Sequence, residues 1–386
     1  MDFKDIKVLL LDGYGRQIPG MLWMLHDLGC EITTLNSSKL DPGYASRYPD
    51  HKIVVKGLKD DLSIMEKAIE EEITSGKYDV VIPITEKATN FIRKNSERFE
   101  QYVKIAAAPY ESFMRAYDKE ETLKVCQQIG VPCPWTRMDD ETIDEYLEKV
   151  KFPLALKPRK GTGSIGFRKV ESREELMQLI DSGVVVPEEY VIQEFIPQDD
   201  IQYVVYMFVD RNGEVKSSLT AAKKRWFPID GGSMCLGEAV DRPDLVDYSK
   251  KLLNGINWTG YCQVGYINDP RDNVPKILEI NGRVPASVKI CYLCGCNIAQ
   301  QLIEFAYGEE VTAFETDIRN GIKLRYFQTD FLWFLKSKNR FKSKPSWFNP
   351  SNTKDYIFSW RDPWPFFAYS MRGMFSYKKE MKKRER

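Results

Sequence analysis

Apolar residues in the first hundred positions come in short solid blocks separated by stretches of helical period. Residues 6–12 (Ile6-Lys7-Val8-Leu9-Leu10-Leu11-Asp12) read as a buried strand, Gly13-Tyr14-Gly15 as the turn after it, and residues 17–28 as a helix. Residues 31–35 predict a second strand and residues 78–82 a third. This alternation implies an open parallel sheet with helices on its faces. Farther along, the period changes. Residues 111–130 predict one amphipathic helix stopped by Gly130, with Pro132 and Pro134 beyond it. Residues 152–157 and 190–195 predict short strands on either side of a glycine-rich loop. Residues 201–209 and 215–220 predict a hairpin about Asn212-Gly213, a strong turn pair. Residues 260–267 and 276–280 predict a second strand pair about residues 269–273, and residues 297–307 a helix ending at Gly308. There is no internal repeat.

Composition narrows the class. With 386 residues, 43% hydrophobic and 29% charged, the chain has the balance of a soluble enzyme and length for two or three domains. No apolar run approaches the ~20 residues that a membrane-spanning helix needs. Met1-Asp2-Phe3-Lys4-Asp5 lacks the basic-then-apolar pattern of a signal peptide, and the eight cysteines are scattered, so a reducing cytoplasm is expected. The zero net charge hides an asymmetry: residues 331–386 hold 14 Lys/Arg against 4 Asp/Glu, a balance of +10, and 15 Phe, Tyr and Trp.

Candidate chemistry concentrates at Glu279-Ile280-Asn281-Gly282-Arg283, after the apolar strand Lys276-Ile277-Leu278. Strand alternation sends Glu279, Asn281 and Arg283 to one face. A carboxylate and an amide oxygen suit Mg²⁺, and a guanidinium suits a phosphate or acyl-phosphate oxyanion. Lys157 ends a strand and enters a loop with Gly161, Gly163 and Gly166, where backbone N–H groups can close over phosphate oxygens; a flexible turn beside a surface lysine is the competing reading. Gln193-Glu194-Phe195-Ile196 ends another strand and can offer backbone groups to an adenine edge, with Asp200 beyond it for ribose hydroxyls or as an exposed hairpin acid. Asp12-Gly13-Tyr14-Gly15-Arg16 is either a nucleotide contact or a tight strand-to-helix turn.

The order of Asp118-Lys119, Phe152-Pro153-Leu154-Ala155-Leu156-Lys157-Pro158 with its loop, Gln193-Glu194-Phe195-Ile196-Pro197 and Glu279-Ile280-Asn281-Gly282-Arg283 resembles the ATP-grasp superfamily. It is most similar to its carboxylate–amine ligases and carbamoyl-phosphate-synthase-like branch. The resemblance implies an α/β fold: an N-terminal open parallel α/β domain (1–110), then a two-lobed α+β ATP-grasp fold (111–325; small lobe about 120–192, large lobe about 193–325), then a basic, aromatic-rich C-terminal extension (326–386). It implies that Lys119 and Lys157 contact ATP phosphates. The loop with Gly161, Gly163, Ser164 and Gly166 would cover them. Gln193, Glu194, Phe195 and Ile196 would line the adenine, and Asp200 would hold the ribose. Glu279 and Asn281 would bind Mg²⁺ (or Mn²⁺), and Arg283 would face the transferred phosphoryl group. Of Lys223, Lys224 and Arg225, Arg225 is the expected cation near the acceptor. Gly282 stands where proline is usual. Gly265 stands where another metal ligand is usual, with Gln263 or Asp269 as the substitute.

The resemblance implies an ATP- and Mg²⁺-dependent ligase that joins a small-molecule carboxylate to an amine through an acyl phosphate, with cell-envelope or polysaccharide biosynthesis as a setting. The alternative is an inactive homologue acting as a nucleotide-binding or membrane-peripheral scaffold. No nucleic-acid partner is expected. The tail reads as docked on the enzyme or as a peripheral contact at the inner membrane face. Cys291, Cys294 and Cys296 read as buried thiols before a metal cluster, because neither histidine (His26, His51) is near.

Overall fold

The computed structural model describes residues 1–161, 166–197, 201–229, 231–318 and 321–373. Three sheets organise the chain. The first holds β1 (Lys7–Leu10), β2 (Glu31–Asn36), β3 (His51–Val54), β4 (Val80–Ile82) and β5 (Lys104–Ile105), all parallel, in the order β3-β2-β1-β4-β5. The strand expected at 78–82 is therefore the fourth. β3 went unseen because it is an edge strand whose His51 and Lys52 face water, and β5 because it is two residues long.

The second sheet is small and antiparallel, ordered β7-β6-β8 from β6 (Leu154–Pro158), β7 (Arg168–Val170) and β8 (Tyr190–Glu194). Leu154, Leu156, Val170 and Ile192 pack with Tyr146 and Leu176 as its core. The third sheet holds β9 (Gln202–Val209), β10 (Val215–Phe227), β11 (Ser233–Val240), β12 (Gly260–Asp269), β13 (Val274–Asn281), β14 (Lys323–Arg325) and β15 (Thr353–Asp355). Its order is β13-β12-β9-β10-β11-β14-β15. Both expected hairpins form here, with Gly213 and Asn273 at positive φ in their turns.

Both faces of the large sheet's central strands are buried. On β9, Val204, Tyr206 and Phe208 face a core shared with Val8, Leu10 and the helix Ile18–Leu28, whereas Val205, Met207 and Val209 face the helices Lys119–Ile129 and Pro243–Gly255. Two-sided burial explains why β9 and β12 read as nearly unbroken apolar runs.

The single helix expected over 111–130 is two helices, Tyr110–Tyr117 and Lys119–Ile129. Asp118 adopts extended backbone between them, accepts the Glu120 N–H at 3.2 Å and receives the Arg159 guanidinium at 3.1 Å. An N-cap with a distant ion pair outweighs the helical period there.

Among the described residues beyond 326, Thr353–Asp355 extends the large sheet. β15 pairs in parallel with β14, and Tyr356 and Ile357 enter the main core. Asp330, fully buried, takes the Arg225 guanidinium in two parallel bonds (2.6 and 3.0 Å) and lies 2.7 Å from Arg325 Nε. Removing one partner of a buried ion pair leaves the others uncompensated. Asp330→Ala is therefore expected to lower folding stability by about 3 kcal/mol, read as a shifted denaturant midpoint; an unchanged midpoint would contradict this assignment.

Candidate active site

The β13 end carries out what alternation predicts. Asn281 Nδ2 donates to Glu279 Oε1 at 3.3 Å, and Arg283 Nη2 donates to Asn281 Oδ1 at 3.1 Å, so the three side chains form one ladder. A bulge at Leu278 between paired residues Gly265/Glu279 and Tyr266/Ile277 sets this register. Gly282 is required by a close approach: a Cβ there would lie 2.6 Å from Trp258.

Three lysines from three elements surround the Glu279 carboxylate. Lys119 comes from the start of a helix, Lys157 from β6 of the small sheet and Lys223 from β10 of the large one. Burial pushes the Glu279 carboxyl up, but Lys119, Lys223, Lys157 and the Asn281 amide outweigh it and hold the group below its ordinary value. Burial pushes Lys157 down to about 8, with Glu279 acting against the shift and Lys119 adding to it. Lys223 is also lowered by burial, with Glu279 opposing. Lys119 Nζ donates to the Gly161 carbonyl at 2.7 Å, tying the helix to the root of the glycine loop. Gly166 closes that loop at φ 78, where a Cβ would lie 2.7 Å from Pro158.

Arg225 is not part of this group. Lys224 is an extra residue in β10: Lys223 pairs with Gly237 and Arg225 with Leu236, so the bulge puts Lys223 and Arg225 on opposite faces. Arg225 is buried on Asp330 and over the Trp333 ring, while Lys223 Nζ donates to Gln202 Oε1 at 3.2 Å and feels the Glu279 charge.

The residues expected to bind metal divide. Gln263 lies directly opposite Asn281, accepts its Nδ2 at 3.4 Å and donates to Ser287 at 3.4 Å. Gly265 lies directly opposite Glu279 and supplies no donor. Asp269 cannot replace it: its buried carboxylate is held by Arg271 and Lys276, which keep it well below the ordinary range although burial pushes the other way. Among the described residues no group of three or more His, Cys, Asp or Glu could hold a metal ion. The Glu279 carboxylate with the amide oxygens of Asn281 and Gln263 is a hard-oxygen donor set of the kind that would suit Mg²⁺.

The adenine-side residues are partly committed. Glu194 accepts the Trp135 N–H at 2.9 Å and pairs with Arg271 at 2.6 Å, linking the small sheet to the β12–β13 hairpin. Gln193 and Ile196 are buried, and Phe195 lies 4.8 Å beneath the Lys169 ammonium. Gly163, Ser164 and Asp200 lie outside the described residues.

Two charged residues went unseen in the sequence. Glu86, at the start of the helix Glu86–Lys94, brings the N-terminal domain into the site, its Oε1 lying 3.5 Å from Arg283 Nε. Burial raises its carboxyl, Arg283 and Lys119 act against the rise, and Glu279 adds to it. Arg159 clamps Asp118, Glu120 and Asp139 and so fixes the helix that carries Lys119. The turn Asp12-Gly13-Tyr14-Gly15-Arg16 is structural at Asp12, which accepts the Thr85 N–H at 2.8 Å and the Tyr14 hydroxyl at 2.8 Å. Cys291, Cys294 and Cys296 are buried free thiols, and burial pushes the latter two up to about 12 and about 11.

The ATP-grasp domain family matches residues 116–287, the stretch that holds Lys119, Lys157, Lys223 and the Glu279 ladder. Residues 116–287 are an ATP-grasp domain. The chain is 26% identical over 266 residues to the D-aspartate ligase of Enterococcus faecium, covering 60% of this chain and 59% of that protein. It is 26% identical over 182 residues to the D-alanine–D-alanine ligase A of Bacillus cereus, covering 42% and 56%. The match thus spans somewhat over half the length of these ATP-grasp relatives. The fold is shared with the L-amino acid ligase of Bacillus licheniformis, with a TM-score of 0.61 at 19% identity over 82% of this chain and 78% of that one.

Four cations (Lys119, Lys157, Lys223, Arg283) face two carboxylates (Glu279, Glu86) in this ATP-grasp cleft. Lys157 loses its proton in the free protein as pH rises through about 8, and a bound polyphosphate would restore it. Titration calorimetry in buffers of different ionisation heat should therefore show proton uptake on polyphosphate binding at about pH 9 and less at about pH 6.5. Equal uptake at both would remove Lys157 from the anion's contacts.

Proposed function

We propose that this chain is an ATP- and Mg²⁺-dependent ligase that joins a carboxylate to an amine through an acyl phosphate, releasing ADP and phosphate. The observation that carries the reading is the Glu279 carboxylate ringed by Lys119, Lys157 and Lys223, with Asn281 and Arg283 in line beside it. In this reading residues 1–110 are the N-terminal α/β domain, 111–325 the ATP-grasp fold and 326–386 an extension that serves as a peripheral contact. The surplus of positive charge favours a polyphosphate. Glu279 and Asn281 would hold Mg²⁺, which would neutralise phosphate charge there. Lys157 and Lys119 would take the charge that shifts from the γ-phosphoryl group to the departing ADP, and Arg283 would face the acyl phosphate. The glycine loop would exclude the water that otherwise hydrolyses that intermediate.

The substrates we propose include an amino acid. Glu86 and Arg283 set a carboxylate and a guanidinium side by side at 3.5 Å, a pair that can meet an ammonium and a carboxylate of one small zwitterion. The D-aspartate and D-alanine–D-alanine ligases among the relatives support that class. A place in cell-envelope or polysaccharide assembly in the cytoplasm belongs to the proposal through the likeness alone.

Gly265 favours a second reading, a nucleotide-binding homologue without turnover, because it leaves Glu279 with no acidic neighbour across the strand pair. ADP release from Mg²⁺-ATP, with and without amino acids or a small-metabolite extract, separates the two. A ligase releases ADP only with its substrates, and Lys157→Ala and Glu279→Ala each reduce the rate by at least about 10²-fold while the folded circular-dichroism spectrum is kept. Tight ATP binding with no ADP under any addition would establish the second reading. Wild-type rates in both variants would refute the site.

A further inference from the structure

Aromatic rings beyond residue 326 touch in one unbroken band. Phe341 and Phe348 lie 6.5 Å apart between centroids, Phe348 and Trp347 5.4 Å, and Trp347 and Phe327 6.4 Å. Phe327 continues to Phe366 at 6.3 Å, Phe366 to Phe367 at 5.7 Å and Phe367 to Trp364 at 6.4 Å. Trp360 joins through Phe358, 5.0 Å away, which itself lies 5.4 Å from Phe366. The band is open to solvent: Trp360 is 89% exposed, Phe341 71%, Trp364 66% and Phe348 63%. Isolated exposed rings are ordinary, but a contiguous band is not.

The charges of the same segment are sorted by sign. Lys336, Lys338, Lys342, Lys344, Lys354 and Arg361 are exposed. The acids among residues 327–373 are Asp330, Asp355 and Asp362, and each is used inside the fold. Asp330 holds Arg225 and Arg325. Asp355 accepts the N–H groups of Phe327, Ile357 and Phe358. Asp362 accepts the Ser46 hydroxyl at 2.6 Å. No carboxylate of residues 327–373 is exposed, and the exposed Asp27, from the helix Ile18–Leu28, accepts the Tyr292 hydroxyl nearby. Beside Trp360 a groove of about 840 Å³ is lined by Lys354, Arg361, Trp23, Tyr292 and Phe358.

We propose that this face binds the surface of an anionic lipid bilayer, with its rings at headgroup depth and its lysines on lipid phosphates. Indole and phenyl rings favour the membrane–water interface, and clustered lysines gain from a negative leaflet. Lysines reach lipid phosphates without losing water, whereas a dry protein interface would strip it from these exposed cations. The sequence continues the charge at Lys378, Lys379, Lys382, Lys383, Arg384 and Arg386. No described helix is long and apolar enough to cross a membrane, so contact is with the surface. The proposal stands apart from the ligase reading, because the band shares no residue with the cleft.

The test is co-sedimentation of the full chain with phosphatidylcholine vesicles, with and without about one-third phosphatidylglycerol. Binding to the anionic vesicles alone, weakening as salt rises, is expected. Trp360→Ala/Trp364→Ala should lower partition at least about tenfold. Lys338→Glu/Lys342→Glu/Lys344→Glu should lower it about fivefold per charge. Both variants should keep the wild-type thermal transition. Failure to sediment with anionic vesicles overturns the proposal, as does equal binding to both kinds. A vesicle-free dimer that dissociates in Trp360→Ala/Trp364→Ala would overturn it in favour of a second copy of this chain.

Discussion

One half-buried carboxylate with three ammonium groups around it decides how the rest of this protein is arranged. Without Glu279, Lys119, Lys157 and Lys223 would repel one another across the cleft; without the lysines, Glu279 would be a half-buried charge lacking its compensating cations. The four side chains come from a helix, the small sheet and two strands of the large sheet, so their mutual neutralisation fixes how those elements meet. It is also incomplete. The excess positive charge, already stripped of much of its water, is a preorganised field for a polyanion.

Much of the remaining architecture holds those four groups in place. Arg159 locks the start of the helix behind Lys119 to Asp118 and Glu120. Glu194 reaches across to Arg271 and joins the two sheets on the side of Lys157. Asp330 captures Arg225 and keeps β10 anchored just beyond Lys223. Glu86 adds the N-terminal domain through Arg283. Each anchor is an ion pair between elements distant in sequence, and each has at least one partner that is mostly buried, where such contacts are least screened.

What a single sequence discloses here follows the range of the interactions. Local periodicity gives β9 and β12, whose burial on both faces writes an apolar run, and it gives the Glu279-Asn281-Arg283 ladder, which needs only alternation along one strand. It misleads where one residue is inserted: the bulge at Lys224 reverses the faces of Lys223 and Arg225, and no pattern within Lys223-Lys224-Arg225 announces it. It joins two helices at Asp118 because the break depends on Arg159, which arrives later in the chain. His51–Val54 has the polar surface of a protected edge and reads as loop. Glu86 looks like an ordinary first-turn acid until the N-terminal domain is placed against Arg283.

The last described residues close back on the beginning of the chain. Asp362 accepts the hydroxyl of Ser46, and Arg372 pairs with the fully buried Asp41, so that contacts of extreme sequence separation complete the first sheet's surroundings. A ribosome delivers Asp41 and Ser46 long before it delivers their partners. Until Asp362 and Arg372 emerge, Asp41 is held by Ser37 and Ser38 alone and the surface around it and Ser46 stays uncovered. Chains that stop early would carry that unfinished surface, which gives a cell's quality control a direct way to tell them from finished ones.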